Sequence, residues 1–178
     1  NEKNHALLSS LVTFVLLIIG MRFFPANYLY HESFSNYSLI MKICIMYITI
    51  LLIRCKYYFA WSFSKASCIT AGVNVVHATN VNIYKVETAT NLRTILSNWN
   101  ICSANWLKQY VYMRVIQEKC SNTAAIFMTN LVSAFWHGFY PGYYLTFFSS
   151  GLLTELGKSI RKKITPIFSD SIYLYAIV

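Results

Sequence analysis

The sequence predicts an all-α, polytopic transmembrane protein, and three features of its composition and order point that way. Charged residues make up only 12% of the 178 positions, where soluble domains average about 25%. Hydrophobic residues reach 56% and mean hydropathy is +0.44, and they gather into runs long enough to lie in lipid. The 15 basic and 6 acidic residues, net +9, fall mostly between those runs, as the positive-inside rule requires. That distribution also argues against nucleic acid as a partner, because no basic soluble module carries the charge.

Leu7 to Phe24 is the clearest span, with Arg22 near one end where it can snorkel and Pro25 ending the helix. It is too long for a signal-peptide core and lacks a cleavage-like end. The loop Ala26 to Tyr37 has no Lys or Arg and runs into the glycosylation sequon Asn36-Tyr37-Ser38, which fits a lumenal or external side. Ser38 to Ile53 is a second apolar run holding Lys42. Arg54, Lys56 and Lys65 follow it and place that end in the cytosol. Lys56 to Trp61, KYYFAW, is an aromatic cluster of the headgroup type. Phe63 to Val76 mixes Ser, Lys, Gly and Asn with apolar residues, too polar to face lipid, and reads as a buried or re-entrant helix.

Ala78 to Asn122 is the most polar part. Lys85, Arg93, Lys108, Arg114 and Lys119 outnumber Glu87 and Glu118, again favouring the cytosol. Within it Trp106, Leu107, Tyr110, Val111 and Val115 recur at steps of three and four, predicting an amphipathic helix from about Ser103, with Ser103 as N-cap. Thr123 to Phe139 and Tyr140 to Leu156 form an apolar pair around the break Phe139-Tyr140-Pro141-Gly142. Basic residues flank both sides: Lys119 before, and Lys158, Arg161, Lys162 and Lys163 after. Two crossings joined by a tight turn satisfy those charges. Ile164 to Val178 begins a further span. The start at Asn1 and the finish inside an apolar run lead us to expect a piece of a longer chain, with residues 1–178 forming a single membrane domain.

Chemistry concentrates at His137, in Ser133 to Tyr144, SAFWHGFYPGYY. An ionisable residue in a lipid-compatible segment is costly and needs a partner, a wet cavity or a task. A structural histidine bonded to a neighbouring helix is the competing reading. Cys44, Cys55, Cys68, Cys102 and Cys120 are odd in number and lack CxxC spacing, so they imply neither a disulfide framework nor zinc. His5, His31, His77 and His137 are too dispersed for a metal motif, so no metal is expected. Nothing near Cys102 activates it as a nucleophile. Asn100 lies 37 residues before His137, so any meeting is tertiary. A neutral imidazole can take a proton from a hydroxyl attacking a thioester, and an amide can orient it or donate to the oxyanion. Locally, Asn100 also suits a helix start or turn.

Four stretches resemble the membrane-bound O-acyltransferase family in its lysophospholipid acyltransferase branch. They are KYYFAW (Lys56 to Trp61), NVNIYKVETATNL (Asn80 to Leu92), WNICSANWLKQYVYMR (Trp99 to Arg114) and SAFWHGFYPGYYLTF (Ser133 to Phe147), in family order over about residues 56–150. Cys102-Ser103 departs from the threonine-containing pair common in relatives, and full-length members are more than twice as long. The resemblance implies that His137 and Asn100 are the catalytic pair. It further implies a polytopic enzyme of the endoplasmic reticulum that moves an acyl group from acyl-CoA, a co-substrate, to the free hydroxyl of a lysophospholipid. No bound cofactor is expected. Trp136, Lys108 and Arg114 are the expected substrate contacts, the two cations toward the coenzyme A phosphates. Two alternatives stand beside this: a protein or peptide O-acyltransferase of the same family, and a non-catalytic transporter or scaffold.

Overall fold

The structure is a computed structural model and describes residues 2–163. The expected span from Ile164 onward lies outside them. The described residues are helical, with no strand among them, as the composition predicts. They divide into two compact units, meeting in sequence at Ile83 and Tyr84.

The first unit is built on α1 (Glu2–Phe23) and α3 (Leu39–Thr70). Both helices bury small residues toward each other. Ala6, Ser10, Thr13 and Gly20 are the buried positions of α1; Thr49, Cys55, Ser62 and Ala66 join Leu52 and Tyr58 on α3. Between apolar helices in lipid, association comes from close packing rather than from excluding water, and small residues permit it. Gly20 shows how close: a Cβ there would stand 2.7 Å from the Leu52 Cβ. The buried hydroxyls return their hydrogen bonds to their own helix, Ser10 to the Leu7 carbonyl and Thr13 to the Ser9 carbonyl, 2.8 Å each. The Phe14 and Phe59 rings meet at 5.0 Å, and Lys65 pairs with Glu2 at 2.9 Å. Together these contacts set an antiparallel register. A 3₁₀ turn (Ala26–Tyr30) and the short α2 (Glu32–Ser35) link the two helices.

α3 departs from the reading of Phe63 to Val76 as a separate buried or re-entrant helix. It runs unbroken for 32 residues, about 48 Å, and ends only where Gly72 takes φ +86°. The reason is that polarity alone does not stop a helix: no Gly or Pro occurs between Leu39 and Thr70. Ser38 caps it, accepting from the Met41 N–H at 3.4 Å, so the sequon serine is also the first residue of a helix cap. By length and composition Glu2–Tyr30 is the one segment among the described residues long and apolar enough to cross a membrane.

The linkers α4 (Val75–Ala78), α5 (Ile83–Glu87) and α6 (Leu92–Asn98) precede a composite helix. That helix is α7 (Ile101–Leu107), a π-turn (Lys108–Tyr112) and α8 (Met113–Gln117). It begins after Asn100, not at Ser103. The N-cap position belongs to Asn100, because a left-handed residue there turns the chain into the helix before Ser103 is reached. α9 (Asn122–His137) starts on Ser121, which accepts from the Ala124 N–H at 3.1 Å. α10 (Pro141–Lys163) follows, with proline at the first helical position. α9 has 16 residues, about 24 Å against a hydrocarbon core of about 30 Å. α10 is longer but carries Glu155 and Lys158 before a basic last turn.

Candidate functional site

His137 is the last residue of α9, and the turn after it is dictated by Gly138. That glycine has φ 106° and ψ −171°, a region essentially closed to residues with a Cβ. Its N–H closes the helix on the Phe135 carbonyl at 3.0 Å. The chain then reverses through Phe139 and Tyr140 into Pro141. Gly142 is needed for a different reason: the Tyr140 ring occupies the place of its Cβ, at 2.8 Å.

This corner lays α10 back along α9 and sets its aromatic residues on the histidine. Tyr143 and Phe147, one turn apart, each place a ring centroid 5.2 Å from the imidazole, inclined at 35° and 29°. Among the described residues no hydrogen bond reaches the His137 nitrogens, so ring packing orients it. Farther along, Phe127 meets Phe148 at 5.5 Å, and Thr123 donates to Glu155 at 3.0 Å, fixing the antiparallel register. Ala125, Ala134 and Gly151 are the buried positions of the pair. Between the helices lies an apolar groove of about 370 Å³, walled by Phe127, Asn130, Leu131, Ala134, Phe147 and Phe148 among others.

Asn100 has φ 50° and ψ 48°, a left-handed conformation that asparagine tolerates better than most residues. Its carbonyl accepts the Ala104 N–H at 3.0 Å, but its side chain makes no capping bond to α7. The composite helix lies against α9. Trp106 meets Trp136 at 6.4 Å and Tyr110 at 5.4 Å, both with tilted rings, and the Tyr112 hydroxyl donates to Asn122 at 3.3 Å. The two helices therefore run antiparallel. Asn100 precedes Trp106 by six residues and stands at the start of α7. Among the described residues the rings that meet His137 are those of Tyr143 and Phe147. Trp136 is 81% exposed, and Lys108, at the start of the π-turn, and Arg114, on α8, are both exposed. Cys102 is exposed as well.

The π-turn and the His137–Tyr143–Phe147 stack were missed in the sequence. The stack has a signal: once Pro141 starts a helix, positions 143 and 147 share a face. A π-turn has none, since one extra residue in a helical repeat leaves the apolar spacing nearly unchanged. No group of three or more His, Cys, Asp or Glu that could hold a metal occurs among the described residues.

Residues 3–177 match the family model described as the membrane-bound O-acyltransferase family. The chain belongs to that family. Within it, the chain is 38% identical over 168 residues to a lysophospholipid acyltransferase of Saccharomyces cerevisiae, covering 86% of this chain and 27% of that protein. A lysophospholipid acyltransferase of Schizosaccharomyces pombe is 32% identical over 170 residues, 89% of this chain and 33% of its own. The human membrane-bound glycerophospholipid O-acyltransferase 1 is 33% identical over 185 residues, 97% of this chain and 36% of its own. The chain thus spans about a third or less of the two fungal relatives and a little over a third of the human one. For a member of this family, the groove, the ring-held histidine and the left-handed asparagine are the parts of interest.

Proposed function

We propose that this chain is part of a lysophospholipid acyltransferase of the endoplasmic reticulum membrane, contributing to a single multi-pass membrane domain with acyl-CoA as co-substrate and no bound cofactor. The observation that carries the proposal is His137, held between Tyr143 and Phe147, the second of which also lines an apolar groove, in a chain of this family. The site offers what acyl transfer between two amphiphiles asks for: a base whose nitrogens are not engaged by the described residues, next to an apolar space.

In the reaction, the His137 imidazole takes the proton of the lysophospholipid hydroxyl as its oxygen attacks the thioester carbonyl. The tetrahedral intermediate collapses, the carbon–sulfur bond breaks, and the imidazolium returns the proton to the departing thiolate. Products are the phospholipid ester and free coenzyme A. His137 is the last residue of α9, and a helix C-terminus favours the positive charge that the ring gains. The Asn100 amide orients the ring or donates to the oxyanion, Lys108 and Arg114 meet the phosphates of coenzyme A, and Trp136 lines the path of the substrate.

The test is the full-length protein in membranes, given radiolabelled acyl-CoA with lysophospholipids of several headgroups. Labelled phospholipid and free thiol are expected, with a loss of about 10²- to 10⁴-fold on His137→Ala. Acylation of a peptide in place of every lysophospholipid, or full activity without the imidazole, would overturn the proposal. Binding or flux without release of coenzyme A would also do so.

A further inference from the structure

The loop between α1 and α3 is folded in a way that a water-facing loop need not be. Its backbone N–H groups find partners within the loop. Tyr28 donates to the Pro25 carbonyl at 2.9 Å, His31 to Tyr28 at 3.1 Å and Phe34 to His31 at 2.9 Å, while Asn36 and Tyr37 donate to Ser33 and Phe34 at 3.3 Å each. Side chains close it as well: the Tyr28 and Tyr37 hydroxyls meet at 2.9 Å, and the Ser33 hydroxyl lies 2.9 Å from His31 Nδ1. These backbone donors need no water, which is what a poorly hydrated layer demands. The exposed side chains match such a layer. Tyr30 is 91% exposed, and Leu39 and Ile40, in the first turn of α3, are 73% and 76% exposed. The loop has no Lys or Arg, and Glu32 is its one formally charged residue. Tyrosine gathers where hydrocarbon meets water, because its ring and its hydroxyl want different surroundings.

Length puts the loop at that boundary. α1 has 22 residues, about 33 Å, enough to cross a hydrocarbon core of about 30 Å. The chain after it enters the headgroup region, which adds about 5–8 Å on each side. Lipid-compatible residues resume at Leu39, three positions after Asn36, and the Ser38 hydroxyl already caps α3. We propose that residues 26–37 form an aromatic anchor in the lumenal headgroup layer, with phospholipid headgroups as its partner, and that the sequon at Asn36 is silent for that reason. Oligosaccharyl transfer needs an acceptor asparagine that reaches out into the lumen, and one three residues from a lipid-facing helix does not. The lumenal side rests on the endoplasmic reticulum reading; the depth of the loop is independent of which reaction the enzyme performs.

The experiment expresses the full-length protein in cells and compares its gel mobility before and after treatment with an endoglycosidase. The native sequon should give no shift. Spacers of about 15 Gly and Ser residues on each side of Asn36-Tyr37-Ser38 lift the asparagine by roughly 20 Å. They should bring in a glycan, which Asn36→Gln in the same variant removes. The second spacer ends in serine, so that α3 keeps a cap. Transfer takes place on the nascent chain, so the result stands even where the spaced variant folds poorly. A glycan on the native sequon would place the loop in water, and a spaced variant without one would place it on the opposite side; either overturns the proposal. A second readout needs no glycan. A benzophenone amino acid in place of Tyr30, activated in membranes, should form adducts mainly with phospholipid, and adducts mainly with protein would overturn lipid as the partner.

Discussion

Gly138→Ala isolates the geometry of the corner from its chemistry. Nothing lies within 4 Å of the Cβ this change adds, so the only perturbation is conformational. Holding a non-glycine residue at φ 106° and ψ −171° costs about 1–3 kcal/mol. The chain can accept that strain or relax by turning the corner, which pulls His137 off Tyr143 and Phe147. Either way the competent geometry is depopulated about 5- to 150-fold, since 1.4 kcal/mol is tenfold. The assay is kcat/KM for acyl transfer by the full-length protein, with membrane abundance checked by immunoblot. Gly157→Ala is the control: it also meets nothing within 4 Å, sits inside α10 and should be neutral or stabilising by about 0.5–1 kcal/mol. Equal activity in the two variants would show that the corner does not position the base.

Asn100→Gly keeps the left-handed backbone while deleting the amide, whereas Asn100→Ala removes both. If the amide acts in catalysis, glycine loses activity nearly as fully as alanine, by about 10²-fold or more for one oxyanion donor; if only the backbone matters, glycine is close to wild type. Lys108→Gln and Arg114→Gln should raise KM for acyl-CoA by up to about tenfold with kcat little changed, the pattern of lost ground-state binding; a fall in kcat alone would move them out of the phosphate site. Gly20→Ala should destabilise the α1–α3 pair by about 1–3 kcal/mol, read as thermal unfolding in detergent. Leu52→Ala in the same protein should recover part of that loss, because its Cγ and Cδ1 also crowd residue 20, at 3.2 and 3.3 Å.

The helices of the α9–α10 hairpin were legible because their signals are local. The break Phe139-Tyr140-Pro141-Gly142 between two apolar runs marks the corner, with Pro141 opening α10; the glycine that closes α9 is Gly138, which the sequence reading did not single out. The length of α3 was not legible because the signal at Phe63 to Val76 was composition: Ser, Lys, Gly and Asn among apolar residues suggested a change of environment, but nothing in the backbone obliged the helix to stop before Gly72. The start of α7 shows a subtler limit. Ser103 satisfies the capping preference, and so does Asn100; the left-handed backbone at Asn100 decides between them and leaves no trace in spacing. The groove was illegible for the same kind of reason, since it depends on Gly151 meeting Phe127 across 24 residues (151 minus 127).

Asn100 and His137 pose the same question from opposite sides. Asparagine at a left-handed position is sufficiently explained by its backbone, and a histidine between aromatic rings by packing. What packing does not explain is why His137 receives no hydrogen bond from the described residues. A structural histidine is normally fixed by an acceptor on one nitrogen, which also sets its tautomer. Rings fix the plane of an imidazole but leave both nitrogens to other partners. That arrangement suits a base whose hydrogen-bond partner is the substrate hydroxyl, and it suits a structural residue poorly. Histidine-to-glutamine at position 137 tests the difference: glutamine can replace a structural hydrogen bond but cannot accept and return a proton. A stable, inactive protein is the outcome this argument requires, and a stable, active one would place His137 among the packing residues.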